Sequence, residues 1–245
     1  MPFRILIAFQ FSFSLISAEI QRPTIPISTF SIVARDQSTG EIGIAVQSKF
    51  IAVGSVVPYA SAEFGAIASQ AWGNVRYGPI GIKLLSQGKT PKEVVELMTN
   101  ADPLRDRRQL AVIGLEGNAS NYTGTECHDW AGAKIGQHFS VQGNILAGPQ
   151  VIEAMATNFN KSIGCLSERL IKALKAGQEA GGDRRGMQSA ALLVVRKNWG
   201  YGGLNDRFRD LRVDDHPRPI KELDRIYKIH RKIFPRPDQI INSKD

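Results

Sequence analysis

The sequence predicts an α+β fold in which two antiparallel sheets pack face to face with helices outside them. Two observations support this: strand-like segments joined by short turns occur in three groups, and pairs of helical segments separate those groups. The chain has 245 residues, of which 42% are hydrophobic. This fits one large globular domain, or at most two, with a substantial buried core.

The first group of strands begins with a hairpin. Two β-rich runs, 29–35 and 41–49, flank the turn-forming segment Asp36-Gln-Ser-Thr-Gly40. The apolar, glycine-spaced runs 52–59 and 64–72 continue the group. The second of these runs is rich in alanine and serine, which indicates that another layer packs closely against it.

The first helical pair follows these strands. Apolar residues at helical spacing begin near Pro79, and Thr90-Pro-Lys-Glu93 has the pattern of a capping box with proline at the first helical position. The second helix is expected to end near Asp102. The next group of strands begins with a strand predicted at 109–115. A turn at 116–118 leads into a returning strand, and a further strand is predicted over the single run 134–142.

The second helical pair and the last elements complete the pattern. One helix is predicted from Pro149 and another from Leu166 towards Ala180, each with an apolar face. The apolar segment 189–196 is typical of a strand buried on both faces. The alternating segment 208–213 suits an edge strand, and an amphipathic helix is predicted over 219–234.

The N-terminal residues 1–18 have the layout of a secretory signal peptide. Arg4 precedes a mostly apolar run that ends at Ala18 and is too short to span a bilayer. We expect 19–28 to be a linker or propeptide, 29–236 to form a single domain and 237–245 to be a C-terminal tail. The protein is then secreted or extracytoplasmic, without membrane association once the signal is removed; the alternative is an unprocessed extension.

Charge and cysteine content limit the partners. The formal net charge is +8, but acids and bases alternate over 205–245 and no basic stripe carries interleaved aromatic residues, so no nucleic-acid partner is expected. Cys127 and Cys165 permit one disulfide without requiring it. No cysteine and histidine spacing suits structural zinc, and neither a metal nor an organic cofactor is implied.

Segments spread along the chain resemble a known family. TFSIVARD, GIAVQSKF, AVGSVVPYA, CHDWAG, VQGNILAG and GGDRRGMQSAALLVV occur in this order, and together they resemble the DUF1028 family from Thr29 to about Phe234. That family is uncharacterised and assigned to the Ntn-hydrolase-like fold, so the resemblance implies a four-layer αββα sandwich. It also implies N-terminal nucleophile chemistry, in which the hydroxyl of the first residue attacks a carbonyl and its own α-amine is the base.

Thr29 is the residue to which this chemistry would apply. A free α-amine has a pKa of about 7.7 to 8.0, which makes it a usable base near neutral pH. Because 28 residues precede Thr29, a cut between Ser28 and Thr29 is required, for which attack of the Thr29 hydroxyl on the Ser28 carbonyl is one route. The alternative is an ordinary threonine at a strand edge.

Other residues are candidates for the same site. Asn144, at a strand-to-helix turn, is expected to donate to the oxyanion together with nearby N–H groups. Asp183 is expected to anchor the α-ammonium of Thr29, and Arg184 to hold a substrate carboxylate. Ser48 and Ser189 are candidates for binding the substrate, and Ser48 is also a candidate for orienting the amine of Thr29. For each of them the alternative is a structural role in a turn, an ion pair or a hairpin end.

Two rival chemistries are weaker. Cys127-His128-Asp129 contains a nucleophile, a base and an acid, but adjacent residues point apart. The segment 214–216 (Asp-Asp-His) lacks further ligand spacing for a metal. The sequence therefore predicts an amide hydrolase acting on a small-molecule or peptide amide, with a secreted non-catalytic binding module on the same fold as the alternative. It leaves a homo-oligomer open.

Overall fold

A computed structural model describes residues 29–241. Neighbouring strands are antiparallel in both of its sheets. The six-stranded sheet has the spatial order β10 (Arg207–Val213), β9 (Ser189–Val195), β2 (Ile42–Ser48), β1 (Thr29–Arg35), β8 (Phe139–Asn144) and β7 (Gly132–Gly136). The four-stranded sheet has the order β3 (Pro58–Ser61), β4 (Gly65–Ala71), β5 (Arg108–Gly114) and β6 (Ala119–Thr123). The helices are α1 (Tyr77–Ser86), α2 (Pro91–Asn100), α3 (Gln150–Lys161), α4 (Leu166–Glu179), α5 (Pro219–Ile233) and α6 (Pro237–Ile241).

Three apolar cores hold these elements together. The first lies between the six-stranded sheet and α3, α4 and α5, and it includes Phe30 and Phe159. The second lies between the two sheets and includes Val33. The third, with Ile67 and Met98, packs α1 and α2 on the outer face of the four-stranded sheet. Because side chains alternate along a strand, Phe30 reaches the helices while Val33 reaches the other sheet.

The sheets differ in width, and this leaves one strand uncovered. In the described part of the chain, β3 packs over β2 and β9, β4 over β1 and β2, β5 over β1 and β8, and β6 over β7 and β8. No strand of the smaller sheet packs extensively on β10. A groove therefore lies beside β3, above this edge strand.

Most predicted elements are confirmed. Strand β1 spans the predicted residues, and β10 is an edge strand as expected. The capping box is also confirmed, because Glu93 N donates to Thr90 Oγ1 at 3.3 Å and Thr90 N donates to Glu93 Oε2 at 2.8 Å. No helix in the described residues is long and apolar enough to span a membrane.

Two local predictions need correction. The single strand 134–142 is wrong, because the chain reverses at His138, whose φ is 64°, and forms β7 and β8. A strand over 52–59 is wrong in its first half, where Val53–Ser55 form a 3₁₀ turn. Pro237–Ile241 form α6 within the segment expected to be a C-terminal tail. The predicted signal peptide and linker (1–28) lie outside the described residues.

Candidate functional site

Four strands of the larger sheet place a row of polar side chains at one end of the interface between the sheets. The register pairs Thr29 with Asn144 on one side and with Ser48 on the other, and it pairs Ser48 with Ser189. Side chains two or four positions apart on a strand point to the same face of the sheet. Each of these four residues is so spaced from a residue that faces the smaller sheet, so all four side chains face the smaller sheet. All four are buried. The register therefore brings together four of the six candidates.

Thr29 is held at its hydroxyl and at its carbonyl. Its Oγ1 donates a hydrogen bond to Ser48 Oγ at 3.2 Å. Its carbonyl oxygen accepts one from Gln70 Nε2, also at 3.2 Å. Ser48 and Gln70 are neutral groups, so these contacts orient the hydroxyl but do not supply a base.

Gln70 and Gln109 of the smaller sheet form the opposite wall, and the sequence reasoning missed both. Gln109 Oε1 accepts hydrogen bonds from Gln70 Nε2 at 2.8 Å and from Asn144 Nδ2 at 3.1 Å. Gln109 Nε2 donates to the carbonyl of Gly143 at 2.8 Å. The bonds thus connect Thr29 to Asn144 through two amides of the facing sheet.

The polar wall continues one row deeper. Ser31 Oγ donates to Gln70 Oε1 at 2.5 Å and accepts from Gln142 Nε2 at 2.6 Å. Ser31 and Gln142 are paired in register, directly below Thr29 and Asn144. Since buried amides and hydroxyls cost free energy unless they are paired, this network fixes how the two sheets face each other at this end.

Asp183 lies beside the row, in a loop that is tied to the turn after β8. Its Oδ2 accepts from the backbone N–H of Lys49 at 3.1 Å and pairs with Arg185 Nη2 at 3.3 Å. Leu146 and Asp183 form an isolated β-bridge. These bonds hold the end of β2 and the turn after Asn144 together.

Arg184 and Ser189 make other contacts. The Arg184 guanidinium is exposed and donates to the carbonyl of Asp129 at 2.6 Å. Ser189 Oγ donates to the carbonyl of Phe50 and accepts from the N–H of Val53 at 3.1 Å. Ser189 therefore closes the turn after β2, while Arg184 stands at the outer surface of the loop.

The residues of the two rival chemistries lie outside the polar row, and their polar groups form hydrogen bonds within the fold. Burial raises the pKa of the Cys127 thiol to about 11, and its Sγ donates to the carbonyl of Arg108 at 3.3 Å. Cys127 and Cys165 are both free thiols. The His216 ring accepts from the N–H of Arg218 at 2.9 Å, and Asp215 accepts from Gln188 at 3.2 Å. Among the described residues, no three histidine, cysteine or acidic side chains are grouped to hold a metal ion.

Comparison with known proteins identifies relatives. A family model described as a family of unknown function (DUF1028) matches residues 29–223, so the match begins at Thr29. The crystal structure of protein SPO2555 from Silicibacter pomeroyi, a DUF1028 protein, is similar with a TM-score of 0.77 and 34% identity, covering 83% of this chain and 86% of that one. Anbu (ancestral beta-subunit) from Yersinia bercovieri matches with a TM-score of 0.36 and 11% identity, over 81% of this chain and 93% of that one. No curated protein matches the chain.

Proposed function

This chain belongs to the DUF1028 family of unknown function, and from its own residues we propose that it is an amide hydrolase of the N-terminal nucleophile type that uses Thr29. The observation that carries the proposal is the placement of the Thr29 hydroxyl, 3.2 Å from Ser48 Oγ and directly opposite Asn144 across the sheet. The helices on the outer faces of both sheets support a four-layer αββα arrangement for this fold.

Release of Thr29 is the first step of the proposal. The Thr29 hydroxyl attacks the Ser28 carbonyl, the C–N bond between the two residues breaks, and an ester forms while the nitrogen takes a proton. Water then hydrolyses the ester, which leaves a Ser28 carboxylate and a free Thr29 α-amine. Before this step the nitrogen is part of an amide and cannot accept a proton as a base.

Turnover repeats the same chemistry on a substrate. The α-amine takes the hydroxyl proton as Oγ1 attacks the substrate amide, gives that proton to the leaving amine, and then assists water in hydrolysing the ester. The side-chain amide of Asn144, whose Nδ2 also donates to Gln109 Oε1, is assigned to the oxyanion. Asp183 acts as a positioning residue through Lys49 N–H and Arg185, and Arg184 binds an acidic part of the substrate at the surface.

The proposal is tested by the mass and N-terminal sequence of the secreted protein, for the wild type and for Thr29→Ser and Thr29→Ala. We expect the wild type to begin at Thr29, Thr29→Ser to be cut at the same bond, and Thr29→Ala to remain uncut there. Cleavage of Thr29→Ala at the same bond would show that another protease makes the cut.

A second measurement tests Thr29 itself. A recognition site for a specific protease is placed directly before Thr29 so that cleavage frees its α-amine, and the product is treated with a β-lactone probe. We expect acylation at Thr29 in the cleaved chain, and about a hundredfold less in the uncut chain, since a general base contributes roughly 10² or more. Equal reaction of both forms, or none, would favour a non-catalytic binding module on the same fold.

A further inference from the structure

We propose that the groove above β10 is a second ligand site, separate from Thr29, which binds a small molecule with an apolar ring and an anionic group. The groove encloses about 640 Å³, which is within the size range of small-molecule sites. Its floor is formed by β9 and β10, and its walls by β3 and α1. It exists because the smaller sheet ends at β3 while the larger one continues to β10.

One part of the groove lining is apolar and aromatic. Tyr59, Phe64 and Ile82 line it. The Tyr59 ring lies so close to α1 that a Cβ on Gly78 would be 2.2 Å from the ring, so the glycine is what lets the ring lie against the helix. Among the described residues the Tyr59 hydroxyl has no hydrogen-bond partner, which leaves it able to bond to a ligand. An aromatic face with a polar tip suits a flat apolar ring.

The charged side chains on β10 and at Lys83 of α1 favour an anion. Arg207, Arg212 and Lys83 line the groove together with one acid, Asp210. Arg207 pairs with Asp210 at 2.8 Å, so those two charges compensate each other. Lys83 has no carboxylate within ion-pair distance in the part of the chain that the structure describes.

Arg212 adds geometric selectivity. It pairs with Asp214 at 2.9 Å on the rim, yet a guanidinium carries five N–H donors and can hold a second planar or tetrahedral anion. The uncompensated charge of the site is therefore positive. A carboxylate or sulfonate on the ligand is the group that Lys83 and Arg212 would hold, with the ring against Tyr59.

The test is a titration of the full chain with 8-anilinonaphthalene-1-sulfonate, an aromatic anion, followed by fluorescence and calorimetry. We expect one site, and a Kd about tenfold weaker in the double variant Lys83→Gln/Arg212→Gln, because two charge-assisted contacts are lost in a partly solvated site. Lys92→Gln removes an exposed charge on α2, outside the groove, and is expected to leave the Kd unchanged. An unchanged Kd in the double variant would overturn the proposal.

Three further measurements keep the result decisive if the double variant folds poorly. Ser86→Trp fills the groove from an exposed position at the end of α1 and should abolish binding. Leu204→Asn alters an apolar residue elsewhere that is 86% exposed, and it should have no effect. N-phenyl-1-naphthylamine, the same ring system without the sulfonate, should bind at least tenfold more weakly. Equal binding of the neutral compound, or loss of binding in Leu204→Asn alone, would refute the assignment.

Discussion

Thr29 donates its hydroxyl hydrogen to Ser48 Oγ, 3.2 Å away, and the two residues are a directly opposed pair of β1 and β2. Ser189 is the next residue in the same row, opposite Ser48, but its hydroxyl serves the turn at Phe50 and Val53. The row therefore contains two buried serines with different partners. They form a matched pair for testing whether Ser48 supports the chemistry of Thr29 or only the fold.

Ser48→Ala is expected to slow acylation of the released Thr29 by about fivefold, because it removes one hydrogen bond, worth about 1 kcal/mol, that orients the nucleophile. Ser189→Ala should leave this rate within about twofold while it lowers the free energy of unfolding by about 1 kcal/mol. The rates are measured by mass spectrometry with the β-lactone probe. Equal slowing in both variants would mean that Ser48 has no specific role at Thr29.

Asn144→Ala is expected to lower the kcat of amide hydrolysis by about 10² and to change KM little, since an oxyanion donor acts mainly in the transition state. The measurement is steady-state kinetics on an amide that the released chain hydrolyses. Asn121→Ala provides the comparison, because Asn121 Nδ2 donates to Ser140 deeper in the interface, at 3.2 Å. A larger loss of kcat in Asn121→Ala than in Asn144→Ala would contradict the assignment.

Gln109→Met is expected to lower the free energy of unfolding by about 2 kcal/mol, because it strips bonds from Gln70, Asn144 and the Gly143 carbonyl and leaves buried polar groups unpaired. Gln47→Met is the same change at a buried glutamine whose two side-chain amide atoms have no hydrogen-bond partner among the described residues, so it should leave the free energy of unfolding unchanged or raise it. Urea unfolding of both variants checks this. A cost in Gln47→Met as large as that in Gln109→Met would refute the reasoning.

The polar row could be predicted from the sequence in part. The β1 and β2 hairpin follows from alternation and turn residues, and it places Ser48 beside Thr29 at the same sheet end. Gln70 and Gln109 could not be assigned, because which strands face each other between two sheets is set by long-range packing. A signal was nevertheless present: each glutamine continues an alternation of inward alanines, Ala66 and Ala68 before Gln70 and Ala111 after Gln109. A polar residue ending such an alternation is a candidate for a site between sheets.

Glu41 should make the stability of the protein fall as pH rises. Its Oε2 accepts from Arg236 Nη1 at 2.7 Å, while its Oε1 is buried and has no hydrogen-bond partner in the part of the chain that the structure describes. Burial raises the pKa of Glu41 above its ordinary value of 4.5, although Arg236 opposes this. The folded state therefore binds the proton of Glu41 more tightly than the unfolded state does. The contribution of this protonation to the free energy of unfolding is complete below pH 4.5 and is lost as the pH rises through the folded-state pKa.

Comparison with Glu41→Gln isolates that effect, because the amide resembles the protonated acid at every pH. We expect the wild type to be about as stable as Glu41→Gln at about pH 4 and to become less stable than Glu41→Gln as the pH rises through the folded-state pKa, measured by urea unfolding at several pH values. An advantage that grows with pH would mean that the ion pair with Arg236 outweighs burial.

Cys127 is expected to be inert. Because burial raises the pKa of its thiol to about 11, the thiolate needed for alkylation is scarce at pH 8, roughly one part in a thousand. Iodoacetamide should therefore leave Cys127 unmodified in the folded chain and modify it in urea, as peptide mass mapping would show. Cys127→Ser should leave both cleavage before Thr29 and amide hydrolysis unchanged. If Cys127→Ser lost amide hydrolysis but was still cleaved before Thr29, the nucleophile of hydrolysis would be Cys127 and not Thr29.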